Sequence, residues 1–449
     1  EVIAETINKP GPRRVLTLYE AINGVPGQID PLNMDTSPGY PFVLTRPPGE
    51  CGRKFLFDEI GTTELGQTLY KPKSVLQERI DSHLRTAKEE RYCEDNYYVD
   101  QLKDERRSLA KISSCSSRMF NIHTLPWLLI NKMYFGAFAA AYMNAKFDVG
   151  CGLAMNIHGS DPTKLIDYHR QVGENYFDGD VKAWDGTLDA QTIRQAMRVV
   201  KDWLRHFDEN VDNDLLNVVA GTLFWRIHIC GNTVYMVNTG MPSGSFLTAI
   251  VNTLSWRLRI KVLWLILASK HAPLLANLES FHHNVRVTTC GDDLFGSTSD
   301  AVKSWWNPLN LAEECAVYGI TLVPPQKIKG KQFENGYLEL EEIQFLKCNF
   351  KKDWRYPQKY HACMQLNDPI GELTNWVRSS FPPLQLMRSN LEDALRFIYH
   401  HGPEIYQKFE QIVTRELAKI GEAPLRLTFD EIDYNWLKEN GLISDGEHY

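Results

Sequence analysis

Nine cysteines are scattered through this chain without one Cys-x-x-Cys pair or a Cys/His spacing of the zinc-binding kind. That excludes a structural zinc site and a thioredoxin-like redox motif. The number is odd and the spacing irregular, so unpaired thiols in a reducing compartment are expected instead of a disulfide framework. No secretory pattern opens the sequence. Basic charge is short: 49 Lys and Arg against 56 Asp and Glu leave a formal net charge of −7. A surface that binds polyanions everywhere is excluded, and a nucleic acid would need a locally basic channel. No hydrophobic run is clean enough to suggest a membrane span. The most apolar stretch, residues 246–268, is broken at its centre by Arg257, Arg259 and Lys261, each costing about 3 kcal/mol in lipid. A long buried helix is expected there. Internal repeats and low-complexity tracts are absent.

What is present is a large, aromatic-rich chain. Its 449 residues exceed one ordinary core, so two or three subdomains are expected, with 11 tryptophans and 20 phenylalanines to pack them. The organising stretch is Val285-Arg286-Val287-Thr288-Thr289-Cys290-Gly291-Asp292-Asp293-Leu294-Phe295-Gly296. Two β-rich runs flank a glycine and two aspartates, which reads as a hairpin with both carboxylates at its tip. Adjacent carboxylates repel, and a cation between them explains a turn that presents both. Mg²⁺ held together with substrate phosphates suits so few hard oxygen ligands. Taken alone, Gly-Asp-Asp is equally an ordinary surface turn. A second cluster changes that balance: Tyr176-Phe177-Asp178-Gly179-Asp180-Val181-Lys182-Ala183-Trp184-Asp185. Its apolar start predicts a strand ending at Asp180, with Asp185 about one helical turn beyond. Two separated segments that each deliver a carboxylate are what a two-metal site requires.

Along the rest of the chain, residues 1–50 are rich in Pro and Gly. They contain the turn-dense Asp35-Thr36-Ser37-Pro38-Gly39-Tyr40-Pro41-Phe42, which composition alone leaves as a connector. Residues 73–92 read as a surface helix and 122–147 as core helices. Between them lies the clearest cationic segment, residues 103–118, where Lys103, Arg107, Lys111 and Arg118 fall at spacings of 4, 4 and 7. Small serines there would let a backbone approach phosphates, though a solvated charged face fits as well. Helices are predicted over 189–207, 212–224, 305–318 and much of 368–420. A hairpin is expected over 227–237, with short strands at 320–323 and 343–350. The loop Thr239-Gly240-Met241-Pro242-Ser243-Gly244-Ser245 opens the long helix. Thr248 and Asn252, four residues apart on that helix, share a face that should point at a site or at structural waters.

In this order the motifs resemble the RNA-dependent RNA polymerases of positive-strand RNA viruses. The picornavirus-like group is the nearest, with the iflavirus and dicistrovirus kinds included. The likeness runs from about residue 35 to 350; beyond it only the helical character of the thumb matches. It implies an α+β right-hand fold with fingers, a palm built on an antiparallel sheet of RNA-recognition-like topology, and a helical thumb. The implied boundaries are fingers 1–136 and 189–238, palm 137–188 and 239–350, and thumb 351–449.

The resemblance also implies roles. Asp180, Asp292 and Asp293 would be the metal-binding acids for two Mg²⁺, with Mn²⁺ an able substitute, and Lys327 the general acid. Asp185 and Asn252, backed by Ser243 and Thr248, would read the ribose. Arg107, Lys111 and Arg118 would hold the triphosphate. Thr36, Ser37, Lys103, Gly244 and Lys347 would meet RNA, and Phe345-Leu346-Lys347 resembles the family's primer-grip hairpin. Implied partners are template and product RNA, ribonucleoside triphosphates, a small protein primer and other viral replication proteins. The implied setting is host cytoplasm at membrane-associated replication complexes. Three departures stand out. Cys290 replaces a tyrosine before Gly-Asp-Asp, and Ser116 replaces a lysine before Ser117-Arg118. The family's preceding fingertip segment is expected to be very short or missing from this sequence. Of the competing classes, a reverse transcriptase would place a bulky gate where Asp185 and Asn252 stand. A scaffold protein would have no need of the complete acidic set. A metal-dependent phosphatase or nuclease would add histidines beside the aspartates.

Overall fold

Helices and strands follow these patterns closely in the computed structural model. It describes every residue except 106, 108, 326–332, 334–335, 375–380 and 445–449, and omits the side chains of 110 and 372–374. The chain divides into two compact units. One comprises Glu1–Leu153, Ala183–Ile260 and Thr289–Asp292; the other comprises Ala154–Lys182, Lys261–Thr288 and Asp293–Tyr449.

In the first unit, Leu125–Ala145 is apolar all round and forms a buried helix. Ala190–Phe207 is amphipathic instead, burying the stripe Ile193, Ala196, Met197, Val200, Trp203 and Leu204, while Asp189 caps its N-terminus by accepting from the Thr192 N–H. Each large side chain so buried contributes about 1.5–3 kcal/mol. Ser74–Glu89 and Asn213–Gly221 complete the main helices. They accompany a four-stranded sheet ordered Met119–His123, Tyr97–Leu102, Arg226–Cys230, Thr233–Val237. Its outer pairs are antiparallel, and Tyr97–Leu102 runs parallel to Arg226–Cys230.

A second four-stranded sheet has the order Leu322–Val323, Asn175–Val181, Asp293–Thr298, Val285–Cys290. A three-stranded sheet follows, from Gln344–Phe345, Cys348–Lys352 and Tyr360–Met364. The C-terminal helices Asn367–Thr374, Pro383–Tyr399, Pro403–Lys419 and Phe429–Glu439 include a core of Leu395, Ile398, Tyr399, Tyr406, Ile432, Trp436 and Leu437. Thr248–His271 is the long helix expected from composition; residues 248–260 count with the first unit and 261–271 with the second. Among the described residues no helix is long and apolar enough to cross a membrane.

Two expectations need correction. Residues 343–350 are not one strand: Leu346 and Lys347 take φ of +53° and +62° and form the two-residue turn of a hairpin, at the place where the resemblance implies one. The helix expected from 305 begins at Pro308, where Asn307 caps it through the Asn310 N–H. Phe429–Glu439 is a further helix, set by the capping box of Thr428 and Glu431.

Candidate active site

Asn175–Val181 is buried along most of its length and ends in two acidic positions on one face, Asp178 and Asp180. The register pairs Asp180 with Asp293 directly across the antiparallel ladder, a Cα separation of about 4.5–5.5 Å. Asp292 is the residue before Asp293, in the two-residue turn that also holds Gly291. Gly291 has φ of +64°, which an L side chain adopts only with strain. The turn is tied to the long helix: the Gly291 N–H donates to Thr253 Oγ1 at 2.9 Å, and the Thr289 hydroxyl donates to the Thr253 carbonyl at 3.1 Å. Asp180 and Asp293, more than a hundred residues apart, thus fall at neighbouring positions, and Asp292 adjoins Asp293 in the sequence. The donor set is all oxygen. Among the described residues no group of three or more Asp, Glu, His or Cys side chains is placed to hold a metal ion by itself. A hard divalent cation that takes one or two carboxylates and fills its shell with water and phosphate oxygens fits such a set.

Asp185 sits in the short helix Trp184–Thr187. Asn252 donates its amide to the Asp185 carboxylate, and Trp184 Nε1 donates to the Asn252 carbonyl at 3.2 Å. Asp185 is exposed on that helical turn. Desolvation by its neighbours nevertheless raises its carboxyl pKa, while the Asn252 hydrogen bond and the charge of Arg118 oppose the rise. Thr248 and Ser243 are occupied differently from expectation. The Thr248 hydroxyl donates to the carbonyls of Pro242 at 2.6 Å and Ser245 at 2.9 Å, closing the loop onto the helix. Ser243 turns to Asn121.

The cationic segment is a loop closed by the strand pair that flanks it, with one helical turn at Leu109–Ser113. The Lys103 N–H donates to the Arg118 carbonyl at 2.9 Å, extending the ladder of Tyr97–Leu102 with Met119–His123. Glu105 then gathers three cations: Lys103 at 3.8 Å, Arg107 at 3.3 Å and Arg118 at 3.5 Å. Arg107 also donates to the Ser116 carbonyl at 2.9 Å. Lys111 is exposed on the helical turn. Convergence therefore comes from strand pairing and one acid, and the helical spacing of the cations plays no part. The influence of Arg118 on Asp185 brings this loop and the Asp185–Asn252 pair into one neighbourhood.

Thr36 and Ser37 are held by the buried Arg53, which donates to their carbonyls at 3.0 and 2.8 Å. Lys347 is exposed at the tip of the hairpin just described. Lys327 lies outside the described residues. Sequence reasoning passed over Glu105, Arg53 and Asp178. Asp178 is 2% exposed and accepts the Gln344 N–H at 2.8 Å, anchoring the hairpin of Lys347. Its position two residues before Asp180 was the available signal.

Comparison with known proteins is consistent with this geometry. The family model of viral RNA-dependent RNA polymerases matches residues 9–417. The replicase polyprotein of cricket paralysis virus is 29% identical over 444 residues, covering 93% of this chain and 24% of the relative. The genome polyprotein of deformed wing virus is 25% identical over 432 residues, covering 94% of this chain and 14% of the relative. The chain thus spans about a quarter or less of these polyproteins. Among solved structures, a sicinivirus 3Dpol RNA-dependent RNA polymerase superposes with a TM-score of 0.77 at 22% identity, over 98% of this chain and 84% of that one. The fold is shared, and the resemblance drawn from the motifs holds.

Proposed function

Because this chain belongs to the viral RNA-dependent RNA polymerase family and has the right-hand polymerase fold, we propose that it extends RNA on an RNA template. Ribonucleoside monophosphates pass from triphosphates to an RNA 3′-hydroxyl, and pyrophosphate leaves. The observation that carries this reading is the register of Asp180 against Asp293, with Asp292 beside it. Asp180 and Asp292 would be the main ligands of two Mg²⁺, or Mn²⁺ in their place, with Asp293 a lesser ligand that tunes the cluster. Ions held there would supply Lewis acidity to the attacking hydroxyl and countercharge to the leaving phosphates. Arg107, Lys111 and Arg118 hold the triphosphate, where the arginine fork matches phosphate oxygens. Glu105 keeps those cations grouped before substrate arrives. Lys327 donates the proton to departing pyrophosphate.

Asp185 and Asn252 bond the ribose hydroxyls, with Ser243 and Thr248 shaping the loop beneath them. Thr36, Ser37, Lys103, Gly244 and Lys347 contact RNA. The fingers then span 1–136 and 189–238, the palm 137–188 and 239–350, and the thumb 351–449. A small protein primer, other viral replication proteins and a membrane-associated cytoplasmic complex complete the setting that the family implies. The decisive experiment is template-directed nucleotide addition by wild type and Asp292→Asn side by side. The variant should bind RNA normally and add nothing; an active variant contradicts the metal assignment.

A further inference from the structure

We propose that Asn121, oriented by Asp100, is a positioning residue that sets the Gly240–Ser245 loop and through it the ribose-reading pair Asp185 and Asn252. This rests on the polymerase reading above. Asn121 lies on Met119–His123, directly opposite Asp100 in the antiparallel ladder. Its Nδ2 donates to Asp100 Oδ1 at 2.6 Å. Its Oδ1 accepts the Ser243 N–H at 3.0 Å and the Ser243 hydroxyl at 3.4 Å. The backbone approach is just as close: a Cβ on Gly244 would stand 1.6 Å from the Asn121 carbonyl oxygen. No side chain fits there, so the loop and the strand must lie in contact.

The orientation of Asn121 is enforced. An ionised carboxylate accepts and never donates, so the amide must turn its NH₂ to Asp100 and its oxygen to Ser243. The Asp100 side chain is fully buried and takes further donors from His228 Nδ1 at 2.8 Å and from the Tyr235 hydroxyl. Burial pushes the Asp100 carboxyl up, but the hydrogen bonds from Tyr235, Asn121 and His228 outweigh it and leave the pKa below the usual carboxylate value. The same sheet grips the other end of the loop: buried Arg226 donates to the carbonyl of Gly240 at 2.9 Å and to that of Thr239.

Between these two grips the loop touches the ribose side directly. The Met241 N–H donates to the Asp185 carbonyl at 2.7 Å, and the Gly240 N–H donates to the Leu188 carbonyl at 2.9 Å. Thr248 then closes the loop onto the helix that carries Asn252. Releasing Ser243 therefore loosens the support under both Asp185 and Asn252 while leaving the Asp180–Asp293 register alone. Asn121 acts through the loop and has no contact of its own with the reacting atoms.

The test is single-nucleotide incorporation of matched ribo- and 2′-deoxyribonucleotides, with kcat/KM taken for each and thermal midpoints recorded. Asn121→Ala should cut the preference for ribose about tenfold, the worth of one hydrogen bond of this kind, chiefly by raising KM for the ribonucleotide. Asn121→Asp should do more harm, because it sets two carboxylates against each other. Exchanging the pair, Asp100→Asn with Asn121→Asp, should recover most of the preference, since donor and acceptor are swapped and Ser243 keeps its partner. If Asn121→Ala does not fold, Asp100→Asn carries the test: its amide lets Asn121 flip, and the preference should fall. An active wild type with an unmoved ribose preference in the variants, or an exchanged pair no better than Asn121→Asp, overturns the proposal. A wild type that adds no nucleotide overturns the polymerase reading itself, and the two failures are told apart by that control.

Discussion

Asn252 gives its amide to the Asp185 carboxylate, and its own carbonyl oxygen Oδ1 is buried without a hydrogen-bond partner among the described residues. A buried acceptor left unpaired costs about 1–3 kcal/mol, and on the polymerase reading proposed above a substrate donor would satisfy it. The ribose 2′-hydroxyl is such a donor. A site built to bond a hydroxyl rejects the analogue that lacks it. Asn252→Ala should therefore lower the ratio of ribo- to deoxyribonucleotide incorporation by about one to two orders of magnitude, with ribonucleotide KM rising. Paired steady-state assays on one template check this, and an unchanged ratio removes Asn252 from ribose recognition.

The three acids should not be equivalent. Asp180 is 6% exposed at the end of a buried strand, whereas Asp292 and Asp293 are half-buried in the turn and just after it. Asp180→Asn should abolish synthesis and Asp293→Asn should leave measurable activity. Chelation should stop wild type, and Mg²⁺ or Mn²⁺ should restore it. Titrating metal into each variant is the check; equal loss in both would make Asp293 a full ligand instead of a tuning group.

Much of this was readable from one sequence, for stated physical reasons. A buried strand ending at Asp180 and a glycine-tipped hairpin are local patterns, and period two with a turn residue announces them. The long helix was legible because charges at 257, 259 and 261 ruled out the membrane alternative. Other features are set by tertiary partners. Leu346 and Lys347 turn left-handed although neither residue type signals it. Glu105 looked like one more charge in a mixed run, and only strand closure brings three cations to it. Asn121 and Asp100 are ordinary polar positions in alternating strands until the register sets them face to face.

Asp178 ties the Lys347 hairpin to the strand of Asp180 through one hydrogen bond to the Gln344 N–H. Asp178→Ala removes that acceptor and should raise KM for primer–template RNA about tenfold, corresponding to about 1.4 kcal/mol, with KM for the triphosphate unchanged. Asp178→Asn retains an acceptor oxygen and should behave close to wild type. If Asn proves as damaging as Ala, charge and not the hydrogen bond is what matters there.

Acid stability offers a test that needs no RNA. His169 is fully buried, stacks on Phe295 at 3.9 Å, and hydrogen-bonds Ser297 Oγ at 3.0 Å and Thr288 Oγ1 at 3.1 Å. Burial, aided by the charge of Arg286, lowers its pKa to about 3; burial likewise lowers His123 to about 3 and His400 well below the ordinary value. The unfolded chain protonates these rings near pH 6.5 and the folded chain does not. Below that pH the unfolded state binds more protons, so stability falls as pH falls, by about 1.4 kcal/mol per pH unit for each such ring. Carboxylates with ordinary unfolded values contribute mainly below about pH 5. Between pH 6.5 and 5 the slope of unfolding free energy therefore belongs mainly to histidines. His169→Gln should reduce that slope by nearly one proton while costing stability at pH 7.5 through lost packing. Denaturant unfolding across this window decides it: an unchanged slope means that His169 already carries its proton in the fold.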